Sequence, residues 1–249
     1  MSDPSNFTQS QSHGLFWDSE IRQKIFLLPP CINDCEKFDI PCSKNRFDSK
    51  ENISIKTSGN NTIDCGDILR FYSRDVEDNK ITMILLKYKQ INNTKQINEI
   101  LEIDYSDEFK DILFGSVTKD VLENYVQFVK NIPFGNACNE IKNTYKKLKK
   151  EIQEKYNMQI NISPKVDSKN QRRVQCSIPN FDKLLVKYPK FLISKTCGSL
   201  IRGIVITPII ESVKRVRNKK VKMKETVNNN NNNNNNNQEI MIIKDSISV

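Results

Sequence analysis

The chain of 249 residues is long enough for one large domain or two small ones with a hydrophobic core. Hydrophobic residues make up 37% and charged residues 28%, the balance of a soluble globular protein that also carries disordered sequence. No apolar run reaches the roughly 18–20 residues of a membrane helix, and the polar start of the chain lacks the apolar core of a signal peptide. We therefore expect no membrane insertion, no secretion, and reduced thiols for the seven cysteines.

The net charge of +9 belongs mainly to one segment near the C-terminus. Residues 214–224 contain seven basic side chains and no acidic one, and removing these seven from the 39 basic residues leaves 32 against 30 acidic residues. Such a run is typical of a flexible nucleic-acid-binding arm or a nuclear localisation signal, so we expect the nucleus, with the cytoplasm as the alternative. Its candidate nucleic-acid contacts are Lys214, Arg215, Arg217, Lys219 and Lys220.

Composition divides the chain into five segments. The ten consecutive asparagines near the C-terminus cannot bury apolar surface to offset chain entropy, so we expect a flexible spacer there. Nearly all of the apolar residues lie between the polar leader and the basic segment. The boundaries are a disordered leader at 1–13, a globular domain at 14–212, the basic segment at 213–227, the spacer at 228–237 and a tail at 238–249.

The first half of the predicted domain begins with a helix and continues with strands. Residues 15–28 have apolar side chains at helical spacing, with Asp18 and Ser19 as capping candidates. Short strands are predicted at 37–40 and 52–57, and residues 67–72 fit a helix or a strand. A predicted hairpin then joins strands at 80–90 and 98–105 through a turn at 92–94.

The second half of the predicted domain is mainly helical. Its helices are predicted at 107–114, 119–131, 136–157 and 180–187. Two strands, at 159–163 and 173–178, interrupt them. A helix followed by strands and then by helices predicts an α/β or α+β domain, in which helices flank a central mixed sheet.

An acidic residue, a serine and a lysine on two predicted strands form the candidate site. Ser54 and Lys56 share one face of their strand, because side chains two positions apart point the same way. Asp39 offers the hard oxygen ligand that Mg²⁺ prefers, and a lysine beside it can stabilise the charge that develops on a phosphate during attack by water. Glu20, on the preceding helix, could reach the same ion. The pattern indicates a Mg²⁺-dependent phosphodiesterase.

This arrangement resembles the PD-(D/E)XK nuclease superfamily, the fold of many restriction endonucleases, over roughly residues 14–105. By this resemblance Asp39 matches the first acidic ligand, Lys56 the lysine, and Glu20 the acidic residue of the first helix. Ser54 occupies the position of the second carboxylate, where a neutral hydroxyl is a poor ligand for a hard dication. Glu51 is a local replacement, although its odd spacing places it on the opposite strand face. The resemblance implies a restriction endonuclease-like fold and a DNA nuclease or its inactive descendant.

Other carboxylates offer alternative sites, and all candidates also fit ordinary structural roles. Glu102 and Asp104 could form a metal pair, although the solvated face of an edge strand is the favoured interpretation. Asp64 and Asp67 favour a turn followed by a helix cap. The cysteines lack C-x₂-C pairs and the sole histidine, His13, lies in the leader, which argues against a zinc site and against histidine-based catalysis.

Basic side chains within the predicted domain also point toward nucleic acid. Four lysines, Lys142, Lys146, Lys149 and Lys150, recur at helical spacing on the segment 136–157, where a solvated face balanced by glutamates is the alternative. Two adjacent arginines stand where a basic loop enters a strand, which suits contacts with phosphate or guanine. These candidate contacts are Lys146, Lys149, Lys150, Arg172 and Arg173.

Three functions remain open from the sequence. The first is a Mg²⁺-dependent, restriction endonuclease-like DNA nuclease or its inactive descendant, with Asp39 and Lys56 as the principal residues. The second is a non-catalytic nucleic-acid-binding or chromatin-associated scaffold, whose basic tail supplies affinity. The third is an interaction protein with no nucleic-acid role. The expected partner is DNA, no membrane is expected, and a homodimer is left open.

Overall fold

The protein has an α/β fold, and in the residues that the structure describes six α-helices flank a curled mixed sheet, a smaller antiparallel sheet and a two-stranded ribbon. The structure, a computed structural model, describes residues 12–29, 37–73, 79–135, 137–167 and 171–211. Its helices are α1 (Ser12–Glu20), α2 (Ile68–Tyr72), α3 (Asp107–Phe114), α4 (Lys119–Lys130), α5 (Asn139–Lys155) and α6 (Phe181–Lys187). Its strands are β1 (Glu51–Ser58), β2 (Thr62–Asp67), β3 (Lys80–Ile91), β4 (Thr94–Asp104), β5 (Asn161–Val166), β6 (Arg172–Pro179), β7 (Leu192–Cys197), β8 (Leu200–Ile201), β9 (Ile204–Val205) and β10 (Ile209–Glu211).

The main sheet places β1 at one edge. Strand β1 pairs in parallel with β3, which forms an antiparallel hairpin with β4, and both β7 and β10 pair with the far side of β4. The hairpin turn lies at Asn92–Asn93, where Asn92 has a positive φ of 52°, a conformation that asparagine tolerates. The predicted hairpin is confirmed, with strands that extend one to four residues closer to the turn.

The second sheet is antiparallel and packs near the first. Its order is β2-β6-β5, and β2 carries a bulge between Asp64 and Gly66 where it pairs with β6. The carboxylate of Asp64 accepts a hydrogen bond from the Gly66 backbone N–H at 3.0 Å within this bulge, so Asp64 lies in a strand where a turn was predicted. Helix α2 starts directly after β2, and the Asp67 carboxylate caps it by accepting from the Arg70 N–H at 2.9 Å.

Two hydrophobic cores cover the opposite faces of the main sheet. The first joins the sheets to helices α2, α3 and α4, and it includes Met83 and Leu85. The second lies between the other sheet face and α1, and it contains Trp17, whose indole N–H donates to the Thr207 carbonyl at 3.0 Å. Ile53 and Ile55 of β1 belong to this second core. The intervening side chains of β1 therefore point to the first face, as the period-two pattern predicts.

Several sequence-based predictions differ from the structure in instructive ways. Helix α1 continues as a π-helical turn over Ile21–Ile25, so Asp18 and Ser19 lie inside the helix and are not caps. The predicted strand at 37–40 is a single antiparallel bridge between Ile40 and Ile53. The strands β2 and β7–β10 were not predicted; β8, β9 and β10 have only two or three residues each, too few for a periodic pattern, whereas β2 and β7 have six.

No described helix is both long and apolar enough to cross a membrane.

Candidate active site

Asp39 lies against the outer edge of β1. The bridge between Ile40 and Ile53 has two backbone hydrogen bonds, of 2.8 and 3.1 Å, and it holds the segment before β1 alongside that strand. The Asp39 carboxylate then reaches the next positions of β1. Its Oδ2 accepts from the Ile55 backbone N–H at 2.6 Å and from the Ser54 hydroxyl at 3.3 Å. An edge N–H that no neighbouring strand satisfies is therefore bound by a carboxylate.

Lys56 completes the group on the same strand face as Ser54. Its ammonium Nζ lies 4.0 Å from Asp39 Oδ2, and both side chains are partly exposed, at 22% for Lys56 and 33% for Asp39. On β3, the residues that pair with Ser54 and Lys56 are Met83 and Leu85. Apolar side chains of the neighbouring strand therefore lie beside the polar group. The structure thus brings together three of the four residues that the sequence nominated: Asp39, Ser54 and Lys56.

These three residues open into a cleft of about 230 Å³. The cleft lies between the edge of the main sheet, the end of β2 and the start of α2. Its charged lining consists of three cations, Lys37, Lys56 and Arg70, and two carboxylates, Asp39 and Asp67. A concave site with converging cations beside a carboxylate suits a phosphate group accompanied by a divalent cation.

Glu20 does not join this group. Its Oε2 accepts from the Thr207 backbone N–H at 2.9 Å and from Lys24 Nζ at 2.9 Å, which fixes the end of α1 to the chain near β10. Burial alone would raise the pKa of Glu20, but the hydrogen bonds from Lys24 and Thr207 outweigh it, so the pKa lies below its ordinary value. The carboxylate has a structural role, and we do not retain it as a metal ligand.

Asp18 is the carboxylate of α1 that interacts with the site. Its Oδ1 is buried and accepts no hydrogen bond from any described residue. Burial raises the pKa of Asp18 to about 7, and the Asp39 charge raises it further, against the opposing charges of Arg22 and Lys56. Asp18 does not line the cleft itself, but its charge acts on the same residues.

Arg22, one turn after Asp18, links α1 to the Asp39 segment. Its guanidinium donates to the backbone carbonyl of Asp39 and to that of Pro29, and the residue is buried. Asp18 was not among the candidates nominated from the sequence. The only local signal for it was its position four residues before Arg22 on the same helix face. That signal does not reveal which distant segment the arginine holds.

The residues present fit a magnesium ion that shares its coordination with substrate. Among the described residues, no group of three or more His, Cys, Asp or Glu side chains could hold a metal. Mg²⁺ does not need one, because proteins often bind it through one or two carboxylates plus substrate phosphates and water. Asp39 Oδ1 accepts no hydrogen bond within the described part of the chain, so this oxygen retains the capacity to bind a metal ion.

Asp18→Asn is expected to change how stability depends on pH in the absence of divalent ions. The folded protein holds a proton on Asp18 up to about pH 7, whereas the unfolded chain releases it near its ordinary pKa of 3.8. The free energy of unfolding of the unsubstituted protein should therefore fall as pH rises between these values, by on the order of 4 kcal/mol. Urea denaturation of both proteins in EDTA, across this pH window, measures the difference.

The asparagine variant should lack this loss, since it has no proton to release. Asp111→Asn is the matched control, because Asp111 is exposed on α3 and should leave the pH profile unchanged. Parallel profiles for the unsubstituted protein and Asp18→Asn would contradict a buried, protonated Asp18.

Two other carboxylates nominated from the sequence, Glu51 and Glu102, belong to a buried ion-pair network. Glu51 accepts from both terminal nitrogens of Arg202 at 2.8 and 3.0 Å, and Glu102 accepts from Arg202 at 2.7 and 2.9 Å. Neither glutamate faces the cleft. Strand β4 is also not an edge strand, because β7 and β10 pair with it, so the favoured interpretation of Glu102 as a solvated edge residue was wrong. Asp104 is partly buried at the end of β4, and it belongs to no group of three or more potential metal ligands among the described residues.

The lysines of α5 form a solvent-facing surface. Lys146 and Lys150 are exposed, and Lys150 pairs with Glu154 at 3.6 Å. Lys149 is half-buried, and burial lowers its pKa. Tyr145 and Ile152 occupy the buried face of the same helix. This geometry matches the solvated-face alternative, and no lysine of α5 lines the cleft.

The two arginines at the start of β6 have different environments. The Arg172 guanidinium donates to the backbone carbonyls of Ile132, Pro133 and Gly135, and it thereby fastens β6 to the chain after α4. Arg172 is thus engaged structurally and is not retained as a nucleic-acid contact. Arg173 is exposed and lies opposite Lys165 of β5, so it remains a candidate for phosphate.

The basic residues nominated near the C-terminus lie outside the described residues, as do the leader before Ser12, the spacer and the tail. These basic residues are Lys214, Arg215, Arg217, Lys219 and Lys220.

Comparison with models of protein families, with curated proteins and with solved structures finds no match for this chain. The resemblance to PD-(D/E)XK nucleases therefore depends on Asp39, Ser54 and Lys56 and on the strand edge that carries them.

Proposed function

We propose that this chain is a Mg²⁺-dependent, restriction endonuclease-like DNA nuclease, in which the reacting phosphate occupies the cleft beside Asp39. The observation that supports this proposal is the convergence of Asp39, Ser54 and Lys56 at the free edge of β1, with Lys56 Nζ 4.0 Å from Asp39 Oδ2. An acid from one segment and a lysine two residues beyond a polar position on the next strand is the arrangement that the resemblance implies.

Each residue then has a defined role. Asp39 would hold the magnesium ion, which would neutralise negative charge on the phosphate and on the oxygens that enter and leave. Lys56 places its ammonium beside the same phosphate and stabilises the charge that develops on its oxygens. Attack by water forms one P–O bond and breaks one phosphodiester P–O bond, and the proton lost by water balances the proton gained by the leaving oxygen. Ser54 orients Asp39 through its hydroxyl.

A second candidate function is a nucleic-acid-binding scaffold without catalysis. It is favoured by Ser54, which contributes no negative charge, and by Asp39 Oδ2, which already accepts hydrogen bonds from Ile55 and Ser54. A cleft of this kind would still bind a phosphate through Lys37, Lys56 and Arg70. The two functions share the ligand and differ in whether the phosphodiester is cut.

Lys56→Met is expected to reduce Mg²⁺-dependent DNA cleavage by about 100-fold or more, because the cation that stabilises the developing charge is lost. The variant should remain folded, since a partly exposed ion pair contributes at most about 1 kcal/mol. Initial cleavage rates of end-labelled DNA, with circular dichroism to verify folding, provide the measurement.

Lys89→Met is the matched control, because Lys89 lies exposed on β3 and lines no part of the cleft. Its rate should equal that of the unsubstituted protein. A Lys56→Met protein that cuts at that same rate would exclude Lys56 from the reaction.

The nucleus remains the proposed location, and the run of basic residues at 214–224 supports it as a localisation signal or a DNA-binding arm.

A further inference from the structure

The cleft continues into a shallow groove that leads away from the candidate site. This groove, of about 490 Å³, shares Lys37, Arg70 and Ser73 with the cleft. It then passes Leu69 of α2 and reaches the first turn of α4, where Lys119 and Glu123 line it. The two concavities thus form one path from Asp39 to the start of α4, which we call the basic track and define by Lys37, Arg70 and Lys119.

The charge of the basic track favours a polyanion. The groove is lined by three cations, of which Lys37 and Arg70 also line the cleft, against one carboxylate, that of Glu123. Lys119 Nζ lies 3.1 Å from Glu123 Oε1, and the Lys119 side chain is 56% exposed. An exposed helix pair of this kind is weak, so a phosphate can compete for the lysine. Cations that follow one another along a groove are the arrangement that tracks a phosphate backbone.

The residues that line the groove also favour double-stranded DNA over a single strand. Grooves that bind single strands combine cations with aromatic rings on which bases stack, and none of the residues lining this groove is aromatic. Three aromatic residues line the neighbouring cleft, and all three pack within the protein. Phe38 packs against the first hydrophobic core, Phe71 stacks on Tyr105 with centroids 4.6 Å apart, and the Tyr105 hydroxyl donates to the Phe71 carbonyl. Contacts with phosphates, without base stacking, suit duplex DNA.

We propose that the basic track binds the phosphate backbone of duplex DNA next to the phosphate that occupies the cleft. This inference builds on the proposed function, since it assigns the substrate class and the path of the strand. It places Lys119 as a contact for a flanking phosphate, away from the reacting one. Glu123 then opposes binding, because its carboxylate both repels phosphate and pairs with Lys119.

Two substitutions on α4 test the basic track with opposite expected effects. In the full chain, Lys119→Gln should weaken binding to duplex DNA severalfold at low salt and reduce the slope of log K against log salt by about 0.9. Glu123→Gln should strengthen binding. Lys130→Gln, an exposed lysine at the other end of the same helix, is the control and should leave affinity and slope unchanged.

Binding is measured by fluorescence anisotropy in EDTA, with a labelled duplex and with one of its strands alone. The expected result is tighter binding of the duplex, with the order Glu123→Gln, unsubstituted protein, Lys119→Gln from strongest to weakest. A Lys119→Gln protein that behaves as Lys130→Gln does, a weaker Glu123→Gln protein, or tighter binding of the single strand would each overturn the basic track.

The outcomes separate this inference from the proposed function. If the protein shows the expected binding order but never cuts DNA, the basic track is supported and the nuclease proposal is wrong. If it cuts DNA while Lys119→Gln has unaltered affinity and salt slope, the nuclease proposal is supported and the basic track is wrong.

Discussion

Asp39→Asn is expected to lower Mg²⁺-dependent DNA cleavage by at least about 100-fold while the protein stays folded. The amide has the same shape as the carboxylate, and its oxygen can still accept from the Ile55 N–H, which the carboxylate bonds at 2.6 Å. The edge of β1 therefore keeps its partner. What the variant loses is the negative charge that would hold the ion beside Lys56. The measurement is the single-turnover cleavage rate, with the free energy of unfolding determined in parallel.

Glu20→Gln tests whether Glu20 is a metal ligand, as the sequence suggested, or a structural residue, as its contacts indicate. The structure binds Glu20 to Thr207 and Lys24, so its substitution should leave the cleavage rate within about twofold. Asp111→Asn, an exposed carboxylate of α3, is the neutral reference. If Glu20→Gln loses activity as Asp39→Asn does, α1 contributes Glu20 to the site and the structural role assigned to Glu20 is wrong.

Arg202→Met is expected to destabilise the protein by about 3–5 kcal/mol, the largest stability effect we anticipate. Arg202 lies in the turn between β8 and β9, and its guanidinium is held between two carboxylates and near two phenyl rings, those of Phe26 and Phe47. The three charged side chains are only 10–15% exposed. Removal of the cation would leave two glutamates buried without a counter-charge. Urea denaturation of both proteins measures the loss.

The same network predicts the direction of a pH effect. Burial would raise the pKa of Glu51, but hydrogen bonds from Arg202, Thr82 and Asn45 and the charge of Arg202 outweigh it, so the pKa lies below its ordinary value of 4.5. A depressed pKa contributes stability above the unfolded value, and that contribution is lost as pH falls through the folded value. In Arg202→Met, this contribution of Glu51 to the free energy of unfolding, and its loss on acidification, should disappear.

Lys80→Met is the matched surface control for Arg202→Met. Lys80 pairs with Asp48 at 3.5 Å, but the lysine is largely exposed, so its loss should cost no more than about 1 kcal/mol. Equal destabilisation by the two substitutions would show that Arg202 contributes no more than a surface pair does.

Local sequence patterns predicted the parts of this fold that depend on neighbouring residues. The alternation in Asn52–Thr57 gave the correct strand and placed Ser54 and Lys56 on one face, since strand periodicity depends only on the backbone. The hairpin of β3 and β4 followed from two β-rich segments around an asparagine turn. Helix α3 was predicted with its observed bounds, Asp107–Phe114, and Ser106 caps it.

Such local patterns could not predict the roles of residues whose partners lie far away in the sequence. Arg202 meets Glu51 and Glu102 from 151 and 100 positions away, so no local spacing could pair them. Arg172 resembles a phosphate ligand in sequence, but it binds carbonyls some 40 positions earlier. Asp18 and Glu20 both lie on α1, and no local pattern shows that Glu20 binds the Thr207 backbone while Asp18 is buried.

The central claim is that the cleft beside Asp39 hydrolyses the DNA that it binds. The most direct measurement incubates end-labelled duplex DNA with an excess of the full chain, in Mg²⁺ or in EDTA, and resolves the strands on a denaturing gel. The account predicts shortened strands in Mg²⁺ and intact strands in EDTA, with binding retained in both. Intact strands in Mg²⁺ on a fully bound duplex would contradict it and would leave a scaffold that binds DNA without cutting it.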